Sequence, residues 1–122
     1  MARRTVLFSP GDQPELCRKA PATGADTTVF DLEDAVAPAR KAEARAAVGD
    51  LLADPAFDPA GVEVAVRVAA DPDAAATDLD ALVERSPIRL DAVMLPKASV
   101  GTANALVAAL ADRGLDVPVL AL

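Results

Sequence analysis

Short apolar, β-branched runs alternate along this chain with longer stretches whose apolar residues recur at helical spacing. Thr5 to Ser9 (TVLFS) reads as a first strand, followed by a PGD turn and a helix from about Pro14 to Thr23. Pro14 suits a first helical turn and Asp12 is a plausible N-cap. Pro21 ends or kinks that helix, and Gly24 fits its C-terminal stop. Thr27 to Leu32 is a second strand, and Pro38 opens a helix whose body is ARKAEARAAVGDLLAD. A turn-rich loop, DPAFDPAG, leads to a third strand at Val62 to Val68 and a third helix at Ala75 to Glu84. Ala92 to Leu95 is a fourth strand. Ser99 or Thr102 caps a fourth helix that runs to Arg113 and stops at Gly114, and Val117 to Leu122 is a fifth strand. Strands alternating with helices at this spacing predict βαβ units and a parallel sheet, an α/β fold.

Composition adds bounds. The 122 residues suffice for one domain with a modest core, taken as residues 1–122. The chain is 52% apolar with no Trp or Tyr and three Phe, so small aliphatic side chains must supply the packing. A net charge of −7 argues against nucleic acid or an anionic membrane as partner. Asp outnumbers Glu 14 to 5, and Lys provides 3 of 12 basic residues. Such a surface suits a salt-rich, halophile-like cytoplasm, and a GC-rich gene produces the same bias. A single cysteine, Cys17, allows no internal disulfide, which points to a reducing cytoplasm. On a helix, with nothing basic to activate it, Cys17 reads as a packed side chain. No apolar run approaches the roughly 18 residues that span a bilayer. The absence of histidine excludes imidazole chemistry within the chain.

In parallel α/β folds, reactive groups gather at the C-terminal ends of strands. Here those ends carry PGD, the acidic run DLED, Arg67 and Lys97. Asp34 could simply help start the next helix. Arg67, inside VAVRVAA, needs a partner, and either a carboxylate or an anionic substrate satisfies it. Period-2 alternation puts Asp31 and Glu33 on one face and Leu32 and Asp34 on the other. Carboxylates opposite an arginine suit a hydrated divalent cation with an organic acid, since Mg²⁺ takes oxygen ligands and keeps several waters.

RRTVLFSPGDQPELCRKA, then GADTTVFDLEDAVAPARKAEAR with its K-x-x-AR, VAVRV and DAVMLPKA together resemble the citrate lyase β-subunit-like C–C lyases of the HpcH/HpaI aldolase superfamily. These are citryl-CoA, malyl-CoA and citramalyl-CoA lyases, and the likeness runs from about residue 3 to the end. It implies the first five βα units of a (β/α)₈ barrel, a bound Mg²⁺, and retro-Claisen cleavage of a 3-hydroxyacyl-CoA into a keto acid and an acyl-CoA. It also implies catalytic roles for Arg67, Glu33 and Asp34. Arg67 would pair with the keto-acid carboxylate, and Glu33 and Asp34 would act on the metal through its waters. Phe8 and Lys19 fall where the family contacts coenzyme A, and Lys97 lies in a typical motif without a chemical role. Two departures bear on thioester binding: Gln13 where an arginine is usual, and Ala69 where Asn is common.

A full barrel of this kind has eight strands in roughly 250 residues. By the resemblance, the two direct metal-ligand carboxylates lie beyond residue 122, so the chain on its own is expected to be incomplete and inactive. Three readings follow: the N-terminal half of a lyase, one half of a split lyase, or a small open-sheet binding or signalling module. The first two predict self-association or a complementing C-terminal half. A receiver-like module fits poorly, because the third strand ends in Arg67 and the acids follow the second.

Overall fold

The computed structural model describes residues 3–122. Five strands, β1 (Val6–Pro10), β2 (Thr27–Asp31), β3 (Glu63–Arg67), β4 (Ala92–Leu95) and β5 (Val119–Ala121), alternate with four helices. The helices are α1 (Pro14–Lys19), α2 (Lys41–Ala53), α3 (Pro72–Val83) and α4 (Val100–Asp112). All strand pairs are parallel, and the order across the sheet is β1-β2-β3-β4-β5. This sequential order separates a barrel arc from an open doubly wound sheet, whose strand order reverses at a switch point. The α/β expectation holds, and a flavodoxin-like module does not fit the topology.

Alternation along the strands divides the side chains into two sets. Phe30, Val64, Val66, Val93 and Leu95 point outward and pack with Cys17 of α1, Val48 and Leu52 of α2, Leu79 and Leu82 of α3, and Leu106 and Leu110 of α4. All four helices therefore cover one face. The concave face carries a smaller cluster, Val29, Ala65, Ala92 and Met94, with Leu120 against it. Above and below those apolar residues the same alternation places charge. At the N-terminal ends of the strands Glu63, 4% exposed, receives both arms of Arg3 (2.7 and 2.8 Å) and the Thr27 hydroxyl (2.8 Å). At the C-terminal ends, Asp31 and Arg67 are register partners.

Several element boundaries depart from expectation: β1 and β3 shift or shorten by a residue at their ends, β5 spans only Val119–Ala121, and the helices differ as follows. The first helix is α-helical only to Lys19 and tightens to a 3₁₀ turn over Ala20–Thr23, because Pro21 has no N–H for the Cys17 carbonyl. Gly24 closes it at φ 93°. Asp12 does not cap this helix; Gln13 holds that position without a side-chain bond, and Asp12 instead accepts from Arg40 Nε at 2.5 Å. Pro38–Arg40 form a 3₁₀ turn, with α2 proper starting at Lys41. α3 starts earlier than predicted because Asp71 accepts from the Ala74 N–H and Pro72 occupies the first turn. Ser99 and Thr102 both take part in capping α4, as a reciprocal box.

Candidate functional site

The rim at the C-terminal ends of the strands is built around one carboxylate. Asp31, 0% exposed, ends β2 and accepts Arg67 Nε at 2.9 Å and Nη2 at 2.6 Å. The same carboxylate accepts the backbone N–H of Glu33 (2.8 Å) and of Ala35 (3.0 Å). Its backbone carbonyl accepts the Gly11 N–H at 2.8 Å, which draws the PGD turn against β2. A Cβ on Gly11 would stand 2.7 Å from that carbonyl oxygen, so this close approach requires glycine. Burial pushes the Asp31 carboxyl up. The Arg67 hydrogen bonds, then those of Glu33 and Ala35, and the Arg67 charge outweigh it and hold the group below the usual carboxylate range. Arg67 in turn is raised, first by its hydrogen bonds to Asp31 and then, against its own burial, by the charges of Asp31, Glu33 and Asp34.

Of the two partners left open for Arg67, the chain itself supplies a carboxylate. The side-on pairing uses Nε and one proton of Nη2, so the end of the guanidinium remains for a second anion. Phe8 covers one face of it, with its ring centroid 4.8 Å from the guanidinium carbon. Glu33, 8% exposed, lies beside the open end with Oε1 3.7 Å from Nη1. Its other oxygen is 3.3 Å from Lys97 Nζ. Glu33 Oε1 is buried and has no hydrogen-bond partner, an unusual state for a carboxylate oxygen. Asp34, next in the turn, is exposed. Asp31 and Glu33 both lie beside Arg67 and Leu32 packs in the outer core, but β2 ends at Asp31, and Asp34 sits exposed in the turn rather than on the face of Leu32.

Two further residues support this turn. Lys41 Nζ donates to the Leu32 carbonyl at 2.9 Å and also to the Glu33 carbonyl. Arg45 pairs at 2.7 Å with the buried Asp78, whose other oxygen accepts the Ala69 N–H just past β3. These are the Lys and Arg of the K-x-x-AR segment, so its spacing has a physical basis: one residue ties down the acidic turn and the other the loop after Arg67. The sequence showed the motif without its contacts. Lys97 sits in the left-handed region at φ 51°, which aims its chain back toward Glu33.

Phe8 and Lys19 share a shallow depression of 210 Å³ between β1 and α1, with Leu16 and Ala20 in its wall. Phe8 thus borders both that depression and Arg67. Gln13 is exposed at the start of α1, and Ala69 contributes only its N–H to the rim. Among the described residues no three His, Cys, Asp or Glu side chains converge to hold a metal directly. The acidic donor set that is present, the unpartnered Glu33 oxygen and exposed Asp34, is hard, oxygen-only and suited to contact through metal-bound water. Among the described residues no helix is long and apolar enough to cross a membrane.

Residues 4–112 match the family described as HpcH/HpaI aldolase/citrate lyase. The citrate lyase subunit beta of Leuconostoc mesenteroides subsp. cremoris is 38% identical over 96 residues, covering 78% of this chain and 30% of that protein. The L-malyl-CoA/beta-methylmalyl-CoA lyase of Cereibacter sphaeroides is 38% identical over 112 residues, 88% of this chain and 35% of that one. Among solved structures, the citrate lyase beta subunit of M. tuberculosis complexed with oxaloacetate and magnesium superposes with a TM-score of 0.69 at 35% identity. The match covers 98% of this chain and 48% of that one. A Mycobacterium tuberculosis CitE complex with magnesium, acetoacetate and coenzyme A gives 0.66 at 35% identity, over 98% and 40% of the two chains. The chain spans less than half the length of each of these relatives.

Proposed function

The chain belongs to the HpcH/HpaI aldolase/citrate lyase family, and from that premise we propose that it supplies the carboxylate-binding part of a Mg²⁺-dependent carbon–carbon lyase site. The substrate is a 3-hydroxyacyl-CoA of the citryl-CoA or malyl-CoA kind, and the products are a keto acid and an acyl-CoA. One observation carries this reading: a guanidinium braced on one edge and one face, whose remaining end makes no hydrogen bond and faces the buried Glu33 oxygen at 3.7 Å.

In the cleavage, a base takes the 3-hydroxyl proton and the oxygen becomes a carbonyl, while the electron pair of the broken C–C bond passes to the thioester as an enolate, whose carbon then takes up a proton to leave the acyl-CoA. Arg67 takes the carboxylate adjacent to that carbonyl and fixes its orientation through a planar pair of N–H donors, which lysine could not do. A bound Mg²⁺ supplies Lewis-acid stabilisation of the oxygens that gain charge. Glu33 and Asp34 hold such an ion through its waters, as hydrogen-bond acceptors. Phe8 and Lys19 border the path of the coenzyme A portion, Lys19 offering a cation for phosphate. Met94, Ala92 and Val29 keep the floor beneath Arg67 apolar, which strengthens its pairing.

Direct metal ligands come, in this proposal, from further (β/α) units, in the same polypeptide or in a complementing one. Support comes from the relatives' greater length and from the two sheet edges, β1 and β5, each paired on one side only. A groove of 480 Å³ beside β5, walled by Val107, Leu110, Leu115, Val117 and Val119, is apolar as the next unit would require. The test is a thermal melt of the 122-residue chain with millimolar Mg²⁺ and pyruvate or glyoxylate. An upward shift that Arg67→Met abolishes is expected. No shift would sink the claim that these 122 residues form a competent site by themselves, and sedimentation of the same sample separates self-association from a need for a complementing half.

A further inference from the structure

Asp31 uses its carboxylate oxygens on four donors from two separate segments: two on the Arg67 side chain and the N–H groups of Glu33 and Ala35. Cap residues commonly satisfy one or two backbone donors, and ion pairs commonly hold one side chain. Here a single fully buried group does both, at the junction of β2, β3 and the acidic turn. We infer that Asp31 is the positioning residue of this site, fixing the Arg67 guanidinium side-on and the Glu33–Asp34 turn to one anchor so that the open end of Arg67 faces Glu33.

The geometry explains why the anchor must be an aspartate. A shorter side chain could not reach the neighbouring strand, and a glutamate would push the guanidinium off the Phe8 ring. An asparagine would present an NH₂ donor to one of the Arg67 donors and lose one of the two parallel bonds. Arg67 has four rotatable bonds between its backbone and its planar guanidinium, so without Asp31 it would sample many positions over the concave face. Rigid placement of a carboxylate-binding arginine is what productive alignment of a bound acid requires. This inference rests on Arg67 being the substrate-carboxylate partner, as proposed above.

Arginine side-chain and backbone ¹⁵N NMR of the chain tests it. In the wild type the Arg67 Nε–H and the Glu33 and Ala35 amides should exchange slowly with solvent. Asp31→Asn should accelerate all three tenfold or more and weaken pyruvate binding tenfold or more. Glu63→Gln, which breaks the buried carboxylate pair with Arg3 at the opposite end of β3, should lower stability without moving those three signals. Unchanged exchange in Asp31→Asn overturns the inference, and so does an equal change in Glu63→Gln, since that would mean general loosening. If Asp31→Asn does not fold, scalar couplings across hydrogen bonds in the wild type decide. Couplings from Arg67 Nε and from the Glu33 and Ala35 amides to the one Asp31 carboxylate carbon support a common anchor, and their absence refutes it. If wild type binds no pyruvate, these residues do not hold a keto acid on their own, and the exchange data still decide what Asp31 holds.

Discussion

Replacing Arg67 with methionine should be one of the most damaging single changes available in this chain. The guanidinium is 17% exposed and its partner Asp31 is fully buried. Removing one member of a buried pair costs about 3–5 kcal/mol, chiefly because the other charge is left desolvated. Asp31 would retain its two backbone donors, which places the expected loss near the lower end, about 3 kcal/mol. For a chain of this size that corresponds to a fall in melting temperature of roughly 10 °C. With no Trp or Tyr to follow, urea unfolding is best read by circular dichroism of the helices. The Asp31→Asn/Arg67→Met double variant should be less damaged than the sum of the singles, with a coupling of about 2 kcal/mol. A loss below about 1 kcal/mol for Arg67→Met, or strict additivity, would show that the pair behaves like a solvated surface bridge and would refute the argument.

Acid should unfold the protein for a traceable reason. The folded carboxyls of Asp31 and Glu63 are both depressed, Asp31 as described above and Glu63 chiefly by the Arg3 hydrogen bonds. Their contributions are complete above the unfolded values of about 3.9–4.3 and are lost as pH falls through the folded ones. Melting temperature should therefore drop below about pH 4, and Asp31→Asn should flatten that slope. The buried Cys17 thiol is pushed up to about 12, by burial first and then by the Asp12 charge. It should react with a thiol reagent at pH 8 only as fast as the protein unfolds, and rapid labelling of the native chain would contradict its placement. Gly11→Ala should cost roughly 1–3 kcal/mol, because the new methyl meets the Asp31 carbonyl and Leu32 Cδ2 at 2.7 and 2.9 Å. An unchanged urea midpoint would show that the turn can move away.

Periodicity made the five strands legible, because short apolar runs such as TTVF and AVML, too short for helices of their own, alternate with longer stretches at helical spacing. It misjudged element ends, where one backbone donor decides the outcome: the missing N–H of Pro21 and the Asp71 side chain that extends α3. The site was partly legible. An arginine inside VAVRV announced a need for a partner, and alternation put Asp31 and Glu33 on one face. That Asp31 rather than Glu33 takes Arg67 follows from strand register, which no local pattern encodes. The supporting contacts of Lys41, Arg45 and Asp78 cross 8 to 33 residues and depend on how helices seat on the sheet.

The strand order has a kinetic consequence. Because each strand lies beside its predecessor, every pairing needs only one intervening helical segment, and the contacts stay short-range for a parallel sheet. A chain emerging from the ribosome can therefore add its units in turn. Asp31 and Arg67 can meet as soon as β3 docks, long before Lys97 or β5 exists to join them. The ion pair that orients the site would then also act as an early latch on the nascent sheet. Pulse-labelled hydrogen exchange during refolding should show β2 and β3 amides protected ahead of those in β5. Simultaneous protection of all five strands would remove this role.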